Sequence, residues 1–339
     1  MQIPLTSAAF LIAAVCAGLM GYAIQRGATC TVAAVDEVVS KRSFNRLTAM
    51  VEASIWVAGG LVLAETFHLL GQMPSGYPLS YLTVVGGVLL GLGAYINRAC
   101  VFGAIARFGS GEWAYIATPI GIYVGSLIVA YGFSPPARAT LPYGSPVLVV
   151  ALWLALPFMA FLLWRLIRPL FAMLSEGSNE PVLARLRSGF ATRVWTPHAA
   201  TTVIGITFLF MFLLVGAWDY TGVLAALARG MSSSLLPKIL LLVALFSGAA
   251  LGGYTAGRFR SIRVSPRQVL KCFAGGVLMG WGGLLVPGHN DGLILIGMPL
   301  LWPYAWVAFL TMCFSIGVAL LIERTASGPA KQESTPEPG

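Results

Sequence analysis

Charge is what this chain lacks. Only 10% of its 339 residues are Asp, Glu, Lys or Arg, where a soluble globular domain carries about 25%. That is too little polar surface to face water. Charge-free runs extend over 139–164, 239–257 and 292–322, and each matches or exceeds the roughly 20 residues a helix needs to cross the hydrocarbon. The two-residue alternation of a barrel strand is missing, so these runs read as helices. The five cysteines, Cys16, Cys30, Cys100, Cys272 and Cys313, form no C-x-x-C pair, which excludes a zinc motif and a disulfide framework. No phosphate-binding P-loop occurs, so ATP does not drive the protein directly, and no cofactor is expected. The first 25 residues have no positive n-region and no A-x-A site, and are read as a span rather than a secretory leader.

The net charge is +9, but the basic residues sit in short clusters between apolar runs, as membrane loops carry them. Nucleic acid is therefore excluded as a partner, and membrane lipid is the expected surrounding. The pattern places spans near 5–25, 47–70, 80–96, 113–132, 146–164, 198–217, 238–257, 268–286 and 303–322. The basic clusters are Lys41, Arg42 and Arg46; then Arg165, Arg168, Arg185, Arg187 and Arg193; then Arg258, Arg260, Arg263, Arg267 and Lys271. Threading the chain with its N-terminus outside puts all three clusters in the cytoplasm. The tail, 323–339, then also lies inside and reads as disordered.

Four stretches fit no span: Arg26–Ser40, Arg98–Gly111, Trp218–Leu236 and Pro287–Trp302. Each is short or rich in breakers, and the alternation of sides works only if each returns to the face it left. Such re-entrant backbone survives at membrane depth when buried in protein or lining a cavity. The order span, re-entrant segment, two spans, re-entrant segment, span covers 1–132 and recurs over 198–322. The region 133–197 supplies a linker helix and a basic cytoplasmic loop that turn the second unit upside down. The expected fold is thus an all-α integral membrane protein with about nine transmembrane helices, four re-entrant segments and two inverted pseudo-repeats, an architecture known from transporters.

Three motifs carry chemistry. The first runs from Gly21 through Arg26, Gly27 and Cys30. The second runs from Gly91 through Asn97, Arg98, Cys100 and Gly103 to Glu112. The third runs from Gly275 through Gly282 to Pro287-Gly288-His289-Asn290-Asp291-Gly292. In these places the chain resembles the YeeE/YedE family of sulfur-compound transporters. The resemblance implies an inner-membrane permease of pseudo-symmetric halves, taking up thiosulfate or a related anion, with thiols near a constriction passing the substrate through S–H contacts. Cys30 and Cys100 match the family's first-half cysteines. Where the family has Gly-Gly-Cys-Asn, this chain has Pro287-Gly288-His289-Asn290.

The expected pathway residues are Cys30, Cys100, His289, Asn290, Arg26, Arg98, Gly27, Gly103 and Gly288. Glycine lets backbone approach a solute closely, and Asp291 is expected to set the charge of His289. Arg26 and Arg98 either offer charge to an anion or snorkel to lipid headgroups; the residues alone leave both readings open. Cys16, Cys272 and Cys313 read as packing. The function expected is a permease, not an enzyme, for a small anion, with a cytoplasmic sulfur-handling protein as a partner. The alternative is a membrane-embedded sulfur-relay, redox or accessory subunit using Cys30, Cys100 and His289.

Overall fold

In a computed structural model, residues 7–133, 140–149, 151–175, 194–230 and 235–327 are described. The first half contains α1 (Ala8–Arg26), α2 (Thr31–Lys41), α3 (Asn45–Thr66), α4 (Tyr81–Asn97), α5 (Val101–Gly109) and α6 (Ala117–Leu127). A 3-10 turn leads into α6 and a π-helical turn, Ile128–Phe133, extends it. Next comes α7 (Ala151–Ser175). The second half contains α8 (Pro197–Val215), α9 (Tyr220–Ala228), α10 (Leu235–Thr255), α11 (Pro266–Leu285), α12 (Asn290–Gly292, continued in π-helical form by Leu293–Gly297) and α13 (Pro303–Ser327). No strand occurs among the described residues.

The protein is an all-α integral membrane protein. Among the described residues eight stretches are long and apolar enough to cross a bilayer. Two of them, Ala8–Lys41 and Tyr81–Gly109, run across breaks, at Gly27–Cys30 and at Arg98–Cys100. The ninth expected span, 146–164, corresponds to a turn at Pro146–Val149 and the start of α7, whose described apolar part, Ala155–Arg165, is shorter than a span. The expected tail begins inside α13, which continues to Ser327; the rest of it, like Arg185, Arg187 and Arg193, lies outside the described residues.

Side chains are distributed as lipid requires. Helix α1 turns Leu11, Val15 and Leu19 outward at four-residue spacing and buries Ala13, Ala17 and Ala23. Large apolar groups gain nothing from leaving lipid, so close backbone packing holds such helices together, and small residues permit it. Gly21 shows how tight the packing is: a Cβ there would sit 1.9 Å from the carbonyl oxygen of Leu245 on α10.

The helix pairs repeat between the halves. Helix α1 packs on α10 as α8 packs on α3; α6 packs on α11 as α13 packs on α4; and α5 lies on α10 as the π-helical part of α12 lies on α3. Across the middle, α1 meets α8 and α4 meets α11. Helix α7 stands outside this scheme against α3. Glu52 of α3 fastens it there, paired with both Arg165 of α7 and His198 of α8. Glu52 and its two partners thus bind three helices together.

One end of the bundle gathers charge. Arg324 pairs with Asp36 at 2.8 Å, Arg98 pairs with Glu323, and Arg46 lies 3.7 Å from Glu37. The end of α13 therefore lies beside the end of α2 and the first basic cluster. Gly21→Leu is expected to destabilise the protein by about 1–3 kcal/mol through overpacking, whereas Gly71→Ala, with nothing within 4 Å of the new methyl, is expected to be neutral. Thermal unfolding of the two purified variants in detergent checks both.

Candidate functional site

Four short helices converge at the centre of the bundle. Helix α2 has 11 residues, α5 and α9 have 9 each, and α12 has 3 before its π-helical continuation. All are too short to cross. Their N-cap residues are Cys30, Cys100, Asp219 and His289 respectively, each in extended backbone. The first turn of any helix leaves N–H groups without intrahelical partners, so each of these starts calls for acceptors from outside its own helix.

In the first half, sulfur meets those donors. The Thr31 amide at the start of α2 donates to Cys100 Sγ at 3.1 Å, which brings the N-cap of α5 against the residue that follows Cys30, the N-cap of α2. Space for the Cys30 thiol exists because residue 103 is glycine; a Cβ there would lie 2.5 Å from the sulfur. Cys100 is fully buried, and Cys30 is partly exposed, facing a small recess formed with Gly27, Thr29 and Met50. Both cysteines are free thiols.

In the second half, carboxylates take the corresponding positions. The Thr221 amide at the start of α9 donates to Asp291 Oδ2 at 3.2 Å, as Thr31 does to Cys100. Asp219 caps α9 by accepting from the Gly222 amide at 2.8 Å. The halves are joined by Thr31, whose hydroxyl lies 3.3 Å from Asn290 Oδ1.

A cavity of about 720 Å³ opens on this second half, lined by Asp219, Arg229, Gly288, His289, Gly292 and Tyr304 among others. Its rim includes Pro74, Ser75 and Thr140, from the two loops that carry few basic residues. The His289 ring lies over Gly283, where a Cβ would come within 2.2 Å of Nε2. His289 Nε2 and Asn290 Nδ2 are buried and have no hydrogen-bond partner among the described residues.

The structure brings together Cys30, Cys100, Asn290 and Gly103, with His289 and Gly288 on the cavity side of the same junction. Gly27 shares the recess with Cys30, and the two arginines lie elsewhere. Arg26 is 1% exposed; its guanidinium donates to Tyr22 Oη at 2.7 Å and Thr255 Oγ1 at 2.9 Å, tying α1 to α10. Arg98 is in left-handed backbone beyond α4, paired with Glu323 at the charged end. Gly27 faces Ala200, whose Cβ a methyl at 27 would meet at 2.2 Å. Asp291, expected to set the charge of His289, bonds Thr221 instead.

Sequence reasoning missed Thr31 and Thr221, which bridge the helix starts, and Gly283, which seats His289. A signal existed only for α9: Asp219 three residues before Gly222 is a helix N-cap pattern. Nothing in the local sequence reveals that Thr31 reaches a residue 259 positions away.

Helices that stop and restart around a buried polar junction, inside a bundle with an apolar exterior, define a polytopic membrane protein of the transporter type. The sulphur transport family model matches residues 26–320, and the chain belongs to that family. It is similar to the thiosulfate transporter TsuA of Escherichia coli (strain K12), with 23% identity over 334 residues, covering 90% of this chain and 92% of that protein.

The unequal exposure of the two junction thiols has a measurable consequence. With the other four cysteines replaced by alanine, a variant keeping Cys30 is expected to react with a small maleimide about tenfold faster than one keeping Cys100, because access limits thiol reactivity. Labelling time courses followed by mass spectrometry check this.

Proposed function

We propose that this protein is a permease of the bacterial inner membrane that takes up thiosulfate or a closely related sulfur anion through the junction of the four short helices. The single observation that carries the reading is the placing of Cys30 and Cys100 at helix N-termini, Cys30 on the recess, in the junction whose His289 lines the large cavity. Helix N-termini suit an anion, and thiols are weak donors that fit the soft terminal sulfur of thiosulfate. Family membership and the thiosulfate transporter relative support the same substrate class.

In this reading the two halves are inverted repeats, 1–132 and 198–322, the linker helix over 146–164 is a ninth span, and the four short helices are the tips of re-entrant segments. The cavity opens to the outside. The charged end, with Lys41, Arg46 and the end of α13, faces the cytoplasm, where a sulfur-handling protein receives the substrate. The anion enters past Arg229, meets His289 and Asn290 where the family carries a cysteine, and passes Cys100 and Cys30 to the inner recess. His289 Nε2 and Asn290 Nδ2 act as the unpaired donors that contact it, and Gly288 leaves the wall open at that point.

Proteoliposomes holding the purified protein are expected to take up labelled thiosulfate down its gradient. Cys100→Ala and His289→Ala are each expected to lower the initial rate about tenfold or more, the range for losing a group that contacts the passing ion. Arg98→Gln, at the charged end, is expected to retain most of the activity. Absence of entry with the wild-type protein, while sulfite or selenite enters, would move the substrate; no entry of any of them would end the permease reading.

A further inference from the structure

The junction contains a carboxylate pair that anion passage does not account for. Asp219 is half-buried and touches the cavity; Asp291 is 3% exposed and sits behind it. Between them is the Thr221 hydroxyl, 3.0 Å from Asp219 Oδ2 and hydrogen-bonded to Asp291 Oδ1. A hydroxyl has one hydrogen to donate. It therefore serves one carboxylate, and its contact with the other becomes a hydrogen bond only when that carboxyl carries a proton and donates back. Neither aspartate enters an ion pair among the described residues, and two carboxylates joined through one hydroxyl do not both ionise readily.

The titratable groups around the pair are Tyr220, which lines one small pocket with both aspartates, Lys238 on α10, and Arg229 and His289 on the cavity side. None of them hydrogen-bonds either carboxyl among the described residues. A separate observation marks the spot as a binding place: the His289 imidazole, 2% exposed, lines the same cavity as Asp219 with Nε2 unpartnered. A buried nitrogen in that state calls for a ligand from the cavity.

We propose that Asp219, Thr221 and Asp291 hold one transportable proton, and that its passage is coupled to that of the anion; this rests on the permease reading above. A proton from cavity water binds Asp219. The Thr221 hydroxyl passes its hydrogen to Asp291 and takes the one on Asp219. Release from Asp291, followed by rotation of the Thr221 hydroxyl back toward it, restores the starting state, so one proton enters, one leaves, and no bond between heavy atoms changes. Coupling follows from charge: with both carboxylates ionised, two negative charges oppose an anion at His289, and one bound proton removes half of that repulsion.

Two measurements test this. Infrared spectra of the purified protein near neutral pH are expected to contain the carbonyl stretch of a protonated carboxylic acid, shifted in heavy water and lost in both Asp219→Asn and Asp291→Asn. In proteoliposomes clamped at zero potential with potassium and valinomycin, an alkaline lumen is expected to concentrate labelled thiosulfate about tenfold per pH unit, the factor for one proton per anion. Asp291→Asn is expected to abolish that concentration while still equilibrating the label; Thr221→Ala is expected to behave likewise and Thr221→Ser to restore coupling. Absence of the infrared band, or an Asp291→Asn protein that still concentrates the label in full, would overturn the proposal. If wild-type vesicles admit no thiosulfate even downhill, the permease reading fails and the infrared band alone decides whether the proton site exists.

Discussion

A helix that begins inside a membrane leaves its first amide groups without partners, and no water reaches them there. Four short helices begin inside this bundle, and at two of them the tertiary structure answers with a side chain from another segment. The α2 amide of Thr31 finds the sulfur of Cys100, and the α9 amide of Thr221 finds the carboxylate of Asp291. Each bond fastens one broken helix to another. The groups that satisfy the backbone are therefore also the ones that hold the junction together.

The surrounding bundle makes that junction rigid. Apolar side chains turned to lipid add little cohesion, so the long helices hold together through backbone contact at small residues. Gly248 of α10 meets the Gly18 carbonyl of α1, and Gly276 and Gly280 of α11 meet carbonyls of α6 at Thr118 and Ile122. The same close approach lets Gly103 admit the Cys30 thiol and Gly283 admit the His289 ring. Helix-to-helix distance and site geometry are thus set by one kind of residue.

The two halves present similar backbone to the centre with different chemistry. Thiols at Cys30 and Cys100 occupy the N-caps of one half; a carboxylate at Asp219 and an imidazole at His289 occupy those of the other. Soft, weakly polar groups face the recess on the charged end, and ionisable groups face the large cavity. A fully symmetric set of thiols would lack that division.

Length, the scarcity of charge and the placement of breakers were enough to locate the eight long helices to within a few residues, because lipid imposes a minimum apolar length and forbids open backbone. The same signals located all four short helices. The sequence could not assign partners. Arg26 and Arg98 look alike in their motifs, yet one is locked between α1 and α10 and the other pairs with Glu323 at the bundle's end. Nor does any local pattern tell that Asp291 turns to Thr221 rather than to the neighbouring His289. Apolar length is a property of each segment by itself, whereas a hydrogen bond between residues 31 and 290 exists only once the helices around it have packed.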